Sequence, residues 1–251
     1  MSRIVAAFLS IFAWGLLVSA HADQSAGESE AHAKLIDLFG EVGAQSYAEI
    51  LPADHQFDFE IYTPAAYDPA KPAGVFVFVS PTVMGEIPDT WRDVFDNNNM
   101  IWISVKASGN KRPALRRVVE SLASVVYAQN NYAVDPARFY IGGFSGGGRI
   151  TSYVSMFYPD VFTGSVYISG VNSFKDEPNA MLDEMKKNRF VFMAGSEDFN
   201  RRETEKIFKE YKKAGFENIS LMIIQSMGHS IPDAGKLQNV FDYLEGNTAS
   251  Q

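Results

Sequence analysis

The chain of 251 residues contains no cysteine. That excludes disulfides, thiolate metal sites, a cysteine nucleophile and a lipid-modified N-terminal cysteine. Core packing alone must hold the protein together, which a chain of this length can support. Positive charge is also scarce: 22 Lys and Arg stand against 30 Asp and Glu, a formal net charge of −8. A nucleic-acid partner selects a basic surface, so none is expected. No Lys/Arg run suggests binding to an anionic membrane. Internal repeats and low-complexity tracts are missing. No motif implies a metal, a nucleotide or a flavin, so no cofactor is expected.

There is one long hydrophobic run, and it stands at the start. Arg3 precedes an apolar stretch over residues 4–18, followed by Ala20-His21-Ala22 and then Asp23. A positive n-region, an apolar h-region and an A-x-A site make a secretory signal peptide over residues 1–22. The alternative is an uncleaved anchor. The run is at the lower edge of bilayer-spanning length, and the flank after it is not basic. The expected location is secreted or periplasmic, with no stable membrane insertion after cleavage. Residues 23–54 read as an N-terminal lead-in, small, polar and mobile over 23–33. A short helix over 34–50 is weakened by Gly40 and Gly43. Residues 247–251 read as a tail.

Between them, residues 55–246 alternate strand and helix. Residues 57–62 alternate polar and apolar, as a half-exposed strand does. Residues 75–79 and 100–105 are continuous apolar runs, expected of strands covered on both faces. Further strands are expected at 138–141, 162–169, 190–194 and 218–225. Helices are expected at 113–130, 145–158, 201–214 and 234–244, with Asn200 and Gly215 as caps of the third. This order predicts an α/β fold with a doubly wound, mostly parallel sheet and helices on both faces. In such sheets the site lies beyond the carboxyl ends of the strands.

The chemistry-bearing residues fall at those ends. Gly143-Phe144-Ser145-Gly146-Gly147 matches G-x-S-x-G between a strand and a helix. A nucleophile on so sharp a turn needs small neighbours two residues to either side. The helix N-terminus then aims backbone N–H groups at developing negative charge. A phosphate-binding loop would need Lys and Ser/Thr after Gly148, where Arg149 and Ile150 stand. No G-x-G-x-x-G frame fits the stretch. An activated serine needs a base, and the base needs an orienting acid. Among the four histidines only His229 follows a late strand. For the acid, Asp198 and its neighbour Glu197 lie in the turn after the strand at 190–194.

On these motifs, roughly residues 55–245 resemble an α/β-hydrolase without a large cap domain. The nearer likeness is to small bacterial secreted esterases of the polyhydroxybutyrate-depolymerase and feruloyl-esterase kind. The resemblance implies a Ser145–Asp198–His229 triad, with Asp198 rather than Glu197 as the acid, and an ester substrate: a small acyl ester or an acylated sugar or polymer. One loop departs from the family. Where His-Gly is common after the third strand, Ser80-Pro81-Thr82-Val83-Met84-Gly85 stands here. The oxyanion donors expected are the N–H groups of Gly146 and Thr82, with Val83 as the alternative to Thr82, since Pro81 has no N–H. Phe144, Trp91 and Asn172 are expected substrate contacts. Ser108 and Asn110 are further candidates near the site. Trp102, within a strand, is better suited to the core. The connection over 170–189 has room for one helix and a loop, which predicts an open cleft. Peptide, thioester or acyl-transfer chemistry on the same triad is the alternative function, as is an inert binding protein on this scaffold.

Overall fold

In the computed structural model, residues 25–178 and 180–247 are described. The signal peptide read at residues 1–22 lies outside them, as does most of the C-terminal tail. Among the described residues no helix is long and apolar enough to cross a membrane.

Eight strands form one sheet in the order β1-β2-β4-β3-β5-β6-β7-β8. They are β1 (Gly27–Lys34), β2 (Gln56–Thr63), β3 (Ala73–Val79), β4 (Met100–Val105), β5 (Val134–Phe144), β6 (Gly164–Ile168), β7 (Arg189–Gly195) and β8 (Ile219–Ile224). From β4 through β8 all pairings are parallel, while β1–β2 and β2–β4 are antiparallel. Among the described residues seven α-helices accompany them: α1 (Leu35–Ser46), α2 (Arg92–Asn97), α3 (Ala114–Asn131), α4 (Gly146–Phe157), α5 (Leu182–Met185), α6 (Arg201–Lys213) and α7 (Ala234–Leu244). The doubly wound, mostly parallel α/β reading therefore holds, and the described residues form no separate cap domain.

The period-two geometry of β3 and β4 builds both layers at once. Val75, Val77, Val79, Ile101 and Ile103 face one way, into a cluster with Val118, Leu122 and Val125 of α3 and Ile150 and Val154 of α4. Phe76, Phe78, Met100 and Trp102 face the other, onto Phe95 of α2 and Val240 and Phe241 of α7. A third cluster sets Tyr167, Phe190 and Phe192 against Ile207 and Tyr211 of α6.

The N-terminal reading needs correction. Residues 27–34 are not a mobile lead-in but an edge strand, paired in full with β2 from Gly27–Thr63 to Lys34–Gln56. Held between β1 and β4, β2 is buried over most of its length rather than half exposed. Gly40 interrupts α1 with φ 68° rather than abolishing it. Gly215 closes α6 with φ 84°, the left-handed turn that suits glycine at a helix end. Asn200 precedes α6, but its side chain does not cap the helix. It donates instead to Ser169 O at 2.7 Å.

Candidate active site

Ser145 sits between the end of β5 and the first residue of α4, with φ 55° and ψ −118°. Such angles are unfavourable for a residue with a side chain and mark the strained turn that lifts a nucleophile above a sheet. The turn is locked from below. Ser145 N–H donates to Ile168 O at 2.8 Å. A Cβ on Gly147 would run into Val79 O, and one on Gly143 would lie 2.7 Å from Thr151 Oγ1. The small residues of the motif are thus required by backbone crossing backbone. As the first residue of α4, Gly146 has an N–H with no intrahelical acceptor.

His229 comes from the loop after β8 and Asp198 from the loop after β7. These loops are zipped together: Ser196 N–H donates to Ile224 O at 2.8 Å and Glu197 N–H to Met227 O at 3.0 Å. Ser226 N–H adds a bond to Ser196 Oγ at 2.9 Å. Trp91 Nε1 donates to Pro232 O at 2.9 Å and so pins the stretch after His229. The result is one line of contacts. His229 Nε2 is 2.9 Å from Ser145 Oγ. His229 Nδ1 is 3.1 Å from each Asp198 carboxylate oxygen. The Asp198 side chain is fully buried and that of His229 is 24% exposed. Asp198 also accepts Asn200 N–H at 2.7 Å, which fixes the carboxylate. Glu197, the rival acid, is exposed.

The other histidines do not join the line. His32 faces Asp58 at 3.3 Å, and His55 packs edge-on against Phe57. His21 lies outside the described residues. Two phenyl rings pack on the His229 imidazole: Phe144, at a centroid distance of 4.8 Å, and Phe199, at 4.2 Å. Phe144 was expected here. Phe199, 76% exposed, was missed. Its signal in the sequence was adjacency to Asp198.

Three expected contacts belong elsewhere. Trp91 is wholly buried and packs against Phe78 and Trp102, so it anchors the core and the His229 loop rather than a substrate. Asn172 has its carboxamide committed to α4: Oδ1 accepts from Arg149 Nη1 at 3.3 Å and Nδ2 donates to Arg149 O at 2.9 Å. Its distance in sequence from that helix hid this. Ser108 is buried and gives its hydroxyl to Glu120. Trp102 lies in the core, as its strand position suggested, with Nε1 on Gly85 O at 3.0 Å.

The loop after β3 qualifies the oxyanion expectation. Thr82 N–H already donates to Ser80 Oγ at 3.2 Å. Val83 N–H meets no acceptor among the described residues. Beneath the loop lies Arg117 of α3, only 3% exposed. Its Nη2 donates to Ser80 O at 2.7 Å, and its Nη1 to Asn110 Oδ1 at 3.2 Å and Gly146 O at 3.4 Å. Burial pushes its pKa down to about 10, so the guanidinium keeps its charge at neutral pH. A single cation thereby ties the loop after β3, the loop after β4 and the nucleophile turn together.

A sheet of this order, with serine on the strand-to-helix turn and aspartate and histidine after later strands, is that of an α/β-hydrolase. The family model described as Phospholipase/Carboxylesterase matches residues 84–247, and the chain belongs to that family. A search of curated proteins finds no significant match. Among solved structures, the feruloyl esterase module of Clostridium thermocellum, in complex with sinapinate, is similar at TM-score 0.64 and 16% identity, covering 90% of this chain and 88% of that one. A fungal esterase of Rhizomucor miehei gives TM-score 0.61 at 12% identity, covering 90% and 87%. Porphyromonas gingivalis dipeptidyl peptidase 4 gives TM-score 0.58 at 16% identity, covering 78% of this chain; the chain spans 34% of the peptidase. At these identities the likeness is one of fold.

Proposed function

We propose that this protein is a secreted or periplasmic serine hydrolase that cleaves carboxylic esters. The observation that carries the reading is the continuous line from buried Asp198 through His229 to Ser145 at the N-terminus of α4. Ser145 Oγ attacks the ester carbon while His229 Nε2 takes its proton. Asp198 holds Nδ1–H, fixing the tautomer and stabilising the imidazolium. The tetrahedral oxyanion is received by Gly146 N–H and by a donor from the opposing loops. His229 returns the proton to the leaving alcohol, which departs and leaves an acyl-serine. Water, deprotonated by His229, then releases the acid and restores Ser145.

The exposed Phe199 ring beside His229 supports esters with an apolar or aromatic portion. The feruloyl esterase named above points the same way. The peptidase among the structural neighbours makes amide cleavage the second reading, since fold and triad do not separate the two.

Two measurements test the proposal. A fluorophosphonate should label Ser145, with the adduct mapped by mass spectrometry and lost in His229→Ala. Matched ester and amide substrates should then show the ester cleaved faster. Absence of label on folded protein would turn the reading toward an inert binding protein, and amide cleavage as fast as ester cleavage would make it a peptidase.

A further inference from the structure

The oxyanion side of the site leaves a donor to be found. Gly146 N–H is free, but Thr82 N–H is turned toward Ser80 Oγ. Across from Gly146 stands Asn110, an exposed residue in the loop after β4. Its carboxamide lies against the Gly146 Cα: a Cβ on residue 146 would collide with the amide, with Oδ1 nearest and Nδ2 at 2.8 Å. G-x-S-x-G leaves the residue after serine unrestricted, so the motif does not ask for glycine there. The nearby carboxamide does.

The orientation of that carboxamide is set. Arg117 Nη1, a donor only, bonds to Oδ1 at 3.2 Å, so the oxygen faces the buried guanidinium and the NH2 group is turned away from it. Among the described residues Nδ2 meets no acceptor. Asn110 N–H is held by Pro81 O at 2.9 Å, which fixes its backbone to the very loop expected to carry the second oxyanion donor. A side-chain amide oriented by a buried cation, with an unused donor and a place beside the helix N-terminus, is what a site needs where an oxygen gains charge.

Resting on the hydrolase reading, we infer that Asn110 Nδ2 is a catalytic oxyanion donor, that Arg117 is its positioning residue, and that residue 146 is glycine to admit it. In the tetrahedral intermediate Nδ2–H and Gly146 N–H both donate to the former carbonyl oxygen of the ester. No bond of Asn110 is made or broken.

The test compares kcat and KM on 4-nitrophenyl acetate, and inhibition by a trifluoromethyl ketone, for the wild type, Asn110→Ala and Asn110→Asp. Asn110→Ala should lose about 10²- to 10³-fold in kcat, with KM little changed and the ketone, which forms an oxyanion on Ser145, weakened in parallel. Asn110→Asp keeps the bond to Arg117 and the packing on Gly146 but replaces the donor by an acceptor, so it should be at least as slow. A merely structural asparagine would tolerate that exchange. If the wild type turns over through Ser145 and Asn110→Asp keeps its kcat and its ketone affinity, the Asn110 role is wrong and the hydrolase reading stands. If the wild type neither turns over nor takes a fluorophosphonate at Ser145, the hydrolase reading falls, and the Asn110 role with it.

Discussion

The two halves of the candidate site are built differently. On one side Asp198, His229 and Ser145 meet as side chains at 2.9–3.1 Å, on loops that backbone bonds zip together. On the other, the Ser80–Gly85 loop presents Thr82 with its amide occupied and Val83 and Met84 64% and 58% exposed. Arg117 beneath draws that loop toward the Ser145 turn. On the proposed reading, the first half is the proton-transfer half, and its hydrogen-bonded line is complete as it stands. The charge-stabilising half, on the same reading, would combine one helix amide with groups borrowed from two loops. In such a division, breaking the first half removes the chemistry, whereas changing the second tunes it.

The sharpest way to break the comparison is Ser145→Ala. Triad members act as a unit, so turnover should fall by about 10⁶-fold, measured on an ester the wild type cleaves. Retention of activity would remove the proton-transfer half altogether. Next comes the contest between neighbouring carboxylates. Asp198→Asn keeps the shape of the side chain but sets the wrong imidazole tautomer, which should cost about 10⁴-fold in kcat. Glu197→Gln, on an exposed side chain, should leave kcat unchanged. Equal losses in the two variants would show that the buried position of Asp198 is not what selects the acid.

Much of the first half was legible in the sequence, and little of the second. G-x-S-x-G announces itself because backbone crowding at Gly143 and Gly147 leaves no other residue type. The order serine, acid, histidine follows from the strand ends, which the apolar runs of β3 to β7 mark plainly. The oxyanion half, as proposed, combines a backbone N–H, the Asn110 carboxamide and cross-loop bonds, and its residues come from separate loops with no motif to join them. Arg117 reads as one more charge on α3, yet it is 3% exposed. Trp91 and Asn172 were misplaced for the same reason: their partners, Pro232 and Arg149, are 141 and 23 residues away. The edge strand β1 did carry a period-two pattern, with Ser29, Ala31 and Ala33 half buried and Glu28, Glu30 and His32 exposed. Small residues carry its inward face, so it read as polar lead-in.

A smaller effect sharpens the comparison on the tuning side. Ser80→Ala removes the hydroxyl that holds Thr82 N–H and frees that amide for the oxyanion. One neutral hydrogen bond contributes about 0.5–1.5 kcal/mol, so kcat should rise by about two- to tenfold if Thr82 donates in the transition state. A fall in kcat would mean that the Ser80 hydroxyl holds the loop in its working shape and that Thr82 N–H does not donate in the transition state.

An effect of similar size returns to the triad half, at the exposed ring of Phe199. Phe199 stacks on His229 at 4.2 Å and 31° between planes, while three quarters of its surface faces solvent. An apolar group so exposed gains by covering, at about 25 cal/mol per Å² of area removed from water, and a substrate seated over His229 would cover it. Phe199→Ala should therefore raise KM for an aromatic ester by about three- to tenfold, the part of that gain left after ordering losses. The kcat should hold, because Phe144 still packs on the imidazole and Asp198 still fixes it. Steady-state kinetics on paired aromatic and short aliphatic esters separates the cases. A rise in KM for the aromatic ester alone makes Phe199 a specificity surface. An equal drop in kcat for both esters makes it a support for the imidazole, and the proton-transfer half would then depend on packing as much as on its hydrogen bonds.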